Sequence, residues 1–472
     1  MTAARTKFSP AFWTANLVEL LERAAWYGVF VAITLYLSRI LGYTDIEAAT
    51  VSGVFSAGLY LLPTFSGALA DKIGFRRALL LAFALLTIGY GGMWLLPTLL
   101  ESAGLVRYGR EVEFLGLQET SYRWLFVPVM LVVMVGGSFI KSVITGTIAR
   151  ETTAESRARG YSIFYAMVNI GAFGGKTLVK PLRESMGNEG LVVLNLFAAA
   201  MTAIAFVLVL VLYRSARHEG EASKSMAEIW ASLRAVLARG RLVALILIIT
   251  GFWMVQQQLY ATMPKYVLRM AGEGSSPSWY ANVNPAVVVL TVGAVTALMR
   301  NRSALTSMTV GMFIMPFSAF CMASGNMIGG GEVLGFHAVA FMMIVGIGFQ
   351  GLAESFISPR YLEYFSRQAP RGDEGLYLGF SHLHSFLSSL LGFVTSGFLL
   401  DAYCPDPAKL SKAEQAAYAA ALAGEGPMPP AYAHAHYIWF FFVGVALVSA
   451  IALVIFGRIV RRIDRRLAAE QG

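Results

Sequence analysis

Apolar stretches of about 20 residues recur along the whole 472-residue chain, and they constrain its fold more than any other feature. A helix of that length crosses the hydrocarbon core of a bilayer. Because backbone amides cannot remain unpaired in lipid, only helices and closed barrels span membranes. The runs therefore predict an all-α membrane protein. Its twelve expected spans lie at 11–41, 46–70, 76–99, 123–149, 158–182, 190–213, 241–270, 278–300, 305–329, 334–364, 374–403 and 433–463.

The composition agrees with this class and excludes a soluble globular domain. Hydrophobic residues make up 57% of the chain and charged residues only 14%, with a mean hydropathy of +0.61. Soluble domains average about 45–50% apolar and about 25% charged residues. The net charge of +9 comes largely from basic residues in short loops between the spans, which argues against nucleic acid as a partner.

The basic loops also predict the orientation of the protein in the membrane. Lys and Arg are enriched in 71–77, 149–160, 299–304, 366–375 and the tail 457–466. Cytoplasmic loops carry such an excess. All these segments fall on one side if the N-terminus is inside. Both termini are therefore expected in the cytoplasm, in a multi-pass protein of the cytoplasmic (inner) membrane.

A polar segment divides the chain into two halves of six spans. We expect an N-terminal six-helix bundle at 1–213, a cytoplasmic linker at 214–240, and a C-terminal six-helix bundle with a basic tail at 241–472. The apolar residues of the linker recur at helical spacing, which predicts an amphipathic helix on the membrane surface. Two such halves are typical of transporters with a midplane binding site between them. The insertions 100–122 and 404–432 are expected to be solvent-exposed connectors.

Several other classes of site find no support in the residues. Cys321 lies in a span and Cys404 in a loop, which argues against a disulfide framework or a metal site. No serine–histidine–aspartate spacing and no phosphate-binding loop occurs, so neither an enzyme nor an ATP-driven pump is predicted, and no cofactor is expected. His382 and His384 have two interpretations, a proton relay or helix packing, and packing is the commoner.

The first span contains charges that a membrane helix normally excludes. The stretch NLVELLERAAWYGVF, residues 16–30, includes Glu19, Glu22 and Arg23. Residues three and four apart share a helix face, so the three side chains should meet on a face directed to a cavity or to the bundle interior. A structural salt bridge is one interpretation. The surplus acid can exchange a proton, which favours a proton-coupling site.

Isolated charges in other spans require partners. Lys141 lies deep in the fourth span and Glu354 in the tenth, one in each half of the chain. An unpaired charge in a membrane costs several kcal/mol, so we expect the two to pair across the halves and to separate during transport. Intramembrane amides are more ambiguous, because they serve as packing groups more often than as ligands. These amides are Asn169, Gln256, Gln257, Gln258, Asn282 and Asn284.

A series of motifs, in order along both halves, resembles a known family. GALADKIGFRR (67–77) is similar to the loop between the second and third spans of the major facilitator superfamily. The other motifs are ELLERAAWYG (19–28), LYLLPTFSGALAD (59–71), GGSFIK (136–141), FYAMVNIGAF (164–173), FWMVQQQ (252–258), PSWYANVNP (277–285) and YLEYFSRQAP (361–370). Together they resemble the proton-coupled oligopeptide transporter (POT/PTR) family, and the chain is identified by them as a divergent member.

The resemblance implies a major facilitator superfamily fold and the import of di- and tripeptides, or peptide-like zwitterions, driven by protons through alternating access. By motif position, Arg23 and Lys141 would bind the peptide carboxylate, and Glu354 and Asn284 would bind the amino terminus. Asn169 and Tyr60 would bind the backbone amide, and Tyr27 and Trp253 would line the pocket. Gln256 and Gln257 complete the substrate-binding set. The implied proton-coupling residues are Glu19 and Glu22 with Arg23, Lys141 and Glu354.

Some positions depart from the family pattern. Gln256 and Gln257 stand where an acid is usual, and Phe30 stands where bacterial members carry a second arginine. These changes motivate an alternative, a proton-coupled carrier of an organic anion, a nitrate-like anion or a modified amino acid. A non-transporting sensor is a further alternative, although the charged set is retained. The expected partners are a small substrate, protons and the lipid bilayer, and the protein is expected to be a monomer.

Overall fold

The structure of the chain is a computed structural model that describes residues 8–109, 112–153, 156–214, 226–328, 331–368 and 380–470. The helices of the first half are α1 (Pro10–Phe30), α2 (Ile33–Arg39), α3 (Asp45–Leu61), α4 (Pro63–Ile73), α5 (Phe75–Ser102), α6 (Phe126–Arg150), α7 (Arg157–Met186) and α8 (Glu189–Leu212). The remaining helices are α9 (Met226–Leu237), α10 (Gly240–Gln256), α11 (Gln258–Ala261), α12 (Met263–Ala271), α13 (Pro277–Tyr280), α14 (Val283–Met299), α15 (Ala304–Met327), α16 (Ala338–Gln368), α17 (Leu383–Tyr403), α18 (Lys412–Leu422) and α19 (Tyr437–Glu470).

The helices confirm a polytopic membrane protein. Among the described residues, nine helices are long and apolar enough to cross a membrane, and two bent pairs, α1–α2 and α3–α4, bring the number to 11. These candidates correspond to all the predicted spans except 158–182. That span is the 30-residue α7, whose small, polar and charged residues make it less apolar than the others. The predicted start of the eleventh span at 374 lies outside the described residues.

Local sequence explains where the first helices begin and break. Ser9 caps α1, since its hydroxyl accepts a hydrogen bond from the backbone amide of Phe12 at 3.1 Å. Pro10 occupies the first turn, where its missing N–H costs nothing. Pro63 begins α4 after a bend of 47° from α3, because proline cannot donate the backbone hydrogen bond that would continue a helix.

The seventh and eighth predicted spans are both interrupted. The seventh consists of α10, α11 and α12; its first break follows Gln256, and Pro264 lies in the first turn of α12. The eighth consists of α13 and α14, which are separated at Ala281 and Asn282. Discontinuous helices in transporters bring free backbone groups close to bound substrate. Here the breaks lie beside two predicted binding residues, Gln256 and Asn284.

The chain divides into two compact units. Unit 1 comprises Met1–Thr44 and Gly58–Ile229, and unit 2 comprises Asp45–Ala57 and Trp230–Gly472. In unit 1, α1 packs against α7 and α8, while α5 packs against α6 and α8. In unit 2, α16 packs against α14 and α15, and α10 packs against α17 and α19. The boundaries predicted at 213 and 241 stay a prediction, and most of α3 groups with the second half of the chain.

The connectors between helices contain more structure than the sequence indicated. Strands β1 (Arg107–Tyr108) and β2 (Val112–Glu113) form an antiparallel hairpin, and β3 (Glu332–Val333) and β4 (Phe336–His337) form another. These hairpins lie in loops, where two-residue strands satisfy their backbone groups without forming a larger sheet. The all-α assignment therefore holds for the spanning segments.

The insertion 404–432 was expected to be an exposed connector, and this was wrong in part. Tyr432 is buried, and its hydroxyl donates to the carbonyl of Pro405 at 2.9 Å. The exposed helix α18 begins with a capping box, in which the Glu414 amide donates to the Ser411 hydroxyl and the Ser411 amide donates to the Glu414 carboxylate. The Ser411 hydroxyl also donates to that carboxylate at 2.7 Å. These hydrogen bonds lower the pKa of the Glu414 carboxyl. The insertion is thus an ordered part of unit 2.

The predicted linker helix is present as α9. Its exposed side chains include Trp230 and Leu237, whereas Val236 is fully buried. Residues 215–225 of the predicted linker lie outside the described residues. An amphipathic helix at the membrane surface therefore stays a prediction for this segment.

Candidate functional site

The three charges of α1 form one cluster in unit 1. Arg23 Nε donates to Glu22 Oε2 at 2.5 Å, and a terminal guanidinium nitrogen of Arg23 contacts the same oxygen. Glu19 Oε1 lies 3.3 Å from Arg23 Nε. Both acids are buried, with 3% of Glu19 and 2% of Glu22 exposed. The helical spacing thus brings the three side chains together as expected, on a face where both acids are buried.

The two acids are not equivalent in this cluster. Glu22 Oε2 contacts two nitrogens of the guanidinium group, whereas Glu19 contacts it through Oε1 only. The other oxygen, Glu19 Oε2, is buried and has no hydrogen-bond partner among the described residues. The hydroxyl oxygen of Tyr90 is also buried, and Tyr90 interacts electrostatically with Glu22 and Arg23. An oxygen that is both buried and unpaired is a place where a proton could be held.

Lys141 and Tyr60 lie close to the α1 charges within unit 1. The Lys141 ammonium interacts electrostatically with Arg23 and with Glu19. Its Nζ lies 6.0 Å from the centroid of the Tyr60 ring, a distance at which a cation and an aromatic ring attract each other. Lys141 is exposed in this structure. Asn169 is half-buried, and its amide donates to the carbonyl of Tyr165 on its own helix at 2.7 Å.

Helices α1 and α7 approach each other unusually closely, and two glycines permit this. A Cβ atom at Gly171 would collide with the carbonyl oxygen of Leu20, and one at Gly175 would collide with that of Ala24. Only glycine leaves room for backbones at this separation. The close contact brings the residue after Gly175 directly beside α1.

That residue is Lys176, which the sequence analysis missed. It is 2% exposed, and its Nζ lies 5.0 Å from the centroid of the Tyr27 ring. The sequence does contain an indication that Lys176 lies in the membrane near the site, because it is a basic residue inside the predicted span 158–182 and follows Asn169 by two helical turns. It was overlooked because Lys180 and Arg183 follow closely and make the segment resemble the end of a span.

A second cluster, within unit 2, surrounds Glu354. Gln256 Nε2 donates to Glu354 Oε2 at 3.0 Å, and Asn284 Nδ2 donates to the same oxygen at 3.3 Å. Gln256 Oε1 is buried without a hydrogen-bond partner in the described part of the chain. The neutral amide at 256 therefore holds the carboxylate of Glu354 and presents a further acceptor beside it.

The other two glutamines of the QQQ stretch have different partners. Gln257 Nε2 donates to Ser389 Oγ at 2.9 Å, and Ser56 Oγ donates to the same hydroxyl at 3.0 Å. Gln258 Nε2 donates to the carbonyl of Met254 at 2.7 Å. Both glutamines are buried and connect helices, which is the common role of amides in membrane helices.

Trp253 and His384 stack on each other. Their ring centroids are 5.3 Å apart with an interplanar angle of 13°, and Tyr361 packs edge-on against His384 at 5.0 Å. His384 is buried, with its Nδ1 3.1 Å from Ser385 Oγ. The packing interpretation of His384 agrees with this environment, and the ring orients the half-buried Trp253.

A third cluster, also missed by the sequence analysis, binds the start of α3 within unit 2. Arg269 donates from its two terminal nitrogens to the two oxygens of Asp45, at 2.9 and 3.0 Å. Lys265 Nζ donates to Asp45 Oδ1 at 2.6 Å. Arg269 also donates to the carbonyl of Cys404 at 2.6 Å and contacts Asp406 at 3.2 Å. Asp45, Lys265 and Arg269 are all buried.

These clusters offer complementary chemistry. Arg23 and Lys141 in unit 1 are suited to bind a carboxylate, since charge-assisted hydrogen bonds to such groups are strong. In unit 2, Glu354 and the free acceptor of Gln256 are suited to an ammonium group. Lys141 and Glu354 belong to different units, and their pairing stays a prediction.

Comparisons with known proteins identify related chains. The sequence model of the Major Facilitator Superfamily matches residues 16–334. Dipeptide and tripeptide permease A of Proteus mirabilis (strain HI4320) is 38% identical over 81 residues, 17% of this chain and 17% of the permease. The permease of the same name from Salmonella typhi is 29% identical over 168 residues, 34% of this chain and 28% of the permease. The chain therefore aligns with less than a third of either curated relative.

A solved structure agrees over a much larger region. The in meso crystal structure of the POT family transporter PepTSo superposes with a TM-score of 0.70 and 17% sequence identity, covering 97% of this chain and 99% of the other. At 17% sequence identity, this structural similarity establishes the fold alone. The predicted fold class is confirmed, and the predicted resemblance is confirmed by the relatives.

Proposed function

The chain belongs to the major facilitator superfamily, and from this premise we propose that it is a proton-coupled symporter that imports di- and tripeptides or peptide-like zwitterions by alternating access. The observation that carries the proposal is the buried cluster of Glu19, Glu22 and Arg23. Two acids and one base are expensive to keep in a membrane span unless they serve a substrate or a proton. The relatives named as dipeptide and tripeptide permeases support the peptide substrate.

In this proposal the two ends of the substrate bind to different residues. Arg23 and Lys141 bind the carboxylate, because the two cations interact with each other electrostatically and present two positive charges in one unit. Glu354, held by Gln256 and Asn284, binds the amino group. Trp253 lines the pocket, while Asn169 and Tyr60 accept or donate hydrogen bonds to the peptide backbone. The retained cations and acid favour a zwitterion over a simple anion.

Proton coupling is proposed for the same residues. Glu22, with Glu19 beside it, carries the proton, and Arg23, Lys141 and Glu354 respond to it. Protonation of Glu22 would weaken its hold on Arg23, which then becomes available to the substrate carboxylate. The proton gradient is the energy source, so no cofactor is proposed.

Uptake into proteoliposomes tests the proposed function. The purified protein should accumulate a radiolabelled dipeptide when an inward proton gradient is imposed, and unlabelled di- and tripeptides should compete. Free amino acids and organic anions should compete poorly. Competition by an organic anion or an amino acid, with none by peptides, would assign the protein to another solute.

Lys141→Ala and Glu354→Ala should each reduce dipeptide uptake by at least about tenfold, because each removes the charge that binds one end of the substrate. Uptake is measured at equal amounts of folded protein. Lys180→Ala and Glu332→Ala are the controls. Lys180 forms a partly exposed ion pair with Glu184 at 3.5 Å and Glu332 is exposed, so uptake should be unchanged. Normal uptake by the Lys141 variant would exclude the proposed carboxylate site.

We also propose that the protein lies in the inner membrane as a monomer with both termini in the cytoplasm. Reporter fusions after residues 110 and 225 should then report opposite sides, because the first follows an odd number of spans and the second an even number. The basic loops support this orientation. Reporters on the same side would contradict it.

A further inference from the structure

Helix α19 is longer than a membrane is thick, and its last turns are strongly basic. Its 34 residues, Tyr437–Glu470, span about 51 Å, whereas the hydrocarbon core of a bilayer is about 30 Å thick. The segment 457–466 near its end contains five arginines and one acid, Asp464, which give it a net charge of +4. The five arginines, all of them exposed, are Arg458, Arg461, Arg462, Arg465 and Arg466.

A stripe of exposed apolar side chains runs along α19 into this basic segment. Its members recur every three or four residues and are between 39% and 68% exposed. They are Val448, Ile451, Ile455, Ile459 and Ile463. Side chains at this spacing share one face of a helix, and an exposed apolar face on a membrane helix contacts lipid. The stripe therefore marks the lipid-facing side of α19 up to the arginines.

Two of the arginines lie on the face of this stripe. Arg462 follows Ile459 by three residues, and Arg466 follows Ile463 by three, so each pair shares a face. Arg461 and Arg465 follow the same isoleucines by two residues, which places them about 200° around the helix. Arginine combines an apolar stem with a charged end, so the stem can lie against lipid while the guanidinium group reaches the headgroups.

Neighbouring helices hold the end of α19 in place within unit 2. Arg241, at the start of α10, donates to Asp464 Oδ1 at 2.8 Å, so the acid of the segment is already engaged. Tyr364 of α16 interacts electrostatically with both of these residues. Arg239 is exposed and donates to the carbonyl of Gln368 at 2.8 Å, which adds a further positive charge at this end of the unit. These contacts fix which face of α19 the lipid meets.

We propose that this face of α19 is a binding site for anionic phospholipids, in which Arg462 and Arg466 hold the phosphate group and Ile459 and Ile463 contact the acyl chains. Guanidinium groups bind phosphate oxygens through paired, charge-assisted hydrogen bonds. Clusters of about four to eight basic residues directly beyond a membrane helix are typical of binding to anionic lipids.

The adjoining apolar stripe favours a lipid over other anionic partners. A nucleic acid or an acidic protein would match the charge of the arginines and leave the isoleucines without a partner. The inference is independent of the transported solute. Only the leaflet depends on the orientation proposed above, in which the site lies on the cytoplasmic side.

Competition between two lipids tests the site. The purified full-length protein in detergent is incubated with equal amounts of phosphatidylglycerol and phosphatidylcholine that have the same acyl chains, and the bound lipids are counted by native mass spectrometry. The variant with Arg462→Gln and Arg466→Gln is compared with the variant with Arg461→Gln and Arg465→Gln, which loses the same charge from another face. A third variant, with Arg462→Lys and Arg466→Lys, keeps the charge. Thermal unfolding without added lipid checks that each variant is folded.

The unaltered protein should prefer phosphatidylglycerol by at least about tenfold, because each basic residue near an anionic surface contributes about fivefold. Replacement of Arg462 and Arg466 by glutamine should lower this preference by about tenfold or more. Replacement of Arg461 and Arg465 should lower it by less than about threefold, and the lysine variant should keep most of it.

Equal losses in the two glutamine variants would overturn the proposed site, since the preference would then follow net charge and not the helix face. Absence of any preference in the unaltered protein would overturn it as well. Inorganic phosphate is added in a further arm at constant ionic strength. Phosphatidylglycerol should remain bound, and its displacement by inorganic phosphate would contradict the assignment of the site to a lipid.

Discussion

Replacement of Asp45 by asparagine is expected to lower the free energy of unfolding by about 3–5 kcal/mol, the cost of leaving buried charges without their partner. Asp45 accepts hydrogen bonds from both Lys265 and Arg269, and all three residues are buried. The asparagine keeps the shape and removes the charge, so Lys265 would lose this carboxylate and Arg269 would keep only the contact with the partly exposed Asp406 as an ion pair among the described residues. The loss should appear as a lower midpoint of thermal unfolding in detergent.

Asp406→Asn is the matched control, because Asp406 contacts the same guanidinium group of Arg269 at 3.2 Å but has 38% of its side chain exposed. Exposed ion pairs contribute less than about 1 kcal/mol, so this variant should unfold near the temperature of the unaltered protein. If both variants lost the same stability, or neither did, burial would not be the source of the effect. The network also joins the first part of α3 to unit 2, so Asp45→Asn should release that segment first.

Glu22→Gln is expected to reduce gradient-driven dipeptide uptake by at least about tenfold while substrate exchange continues. The glutamine cannot carry a proton, so the proton gradient no longer drives accumulation. Arg23 retains Glu19 as a partner at 3.3 Å, and the substrate-binding cations remain. Proteoliposome uptake with and without a pH gradient, compared with exchange of preloaded dipeptide, measures the two activities separately.

Two further variants provide a control and a test of the neighbouring acid. Glu184→Gln alters an exposed acid that pairs with Lys180, and both activities should be unchanged. Glu19→Gln tests the neighbouring acid, whose Oε2 is buried without a partner among the described residues. Gradient-driven uptake that survives in Glu22→Gln and disappears in Glu19→Gln would move the proton to Glu19.

Features that depend on nearby residues were predictable from the sequence alone. The length of each apolar run determined the spans, because a helix must bury its backbone polar groups to cross lipid. The cluster of Glu19, Glu22 and Arg23 follows from helical spacing, which brings residues three and four apart together whatever surrounds them. The break at Pro63 also has a local cause, because proline cannot donate the hydrogen bond that continues a helix, although 46–70 was predicted as one span.

Contacts between distant residues were decided only by the tertiary structure. Asp45 and Arg269 are 224 residues apart, and no spacing rule relates them. Three consecutive glutamines have the same chemistry, yet among the hydrogen bonds of the described residues only Gln256 of the three donates to Glu354, which is 98 positions away. Lys176 resembled a basic residue near the end of a span. It lies against Tyr27 because Gly171 and Gly175 let α7 approach α1 closely, a contact that helical periodicity within one segment cannot specify.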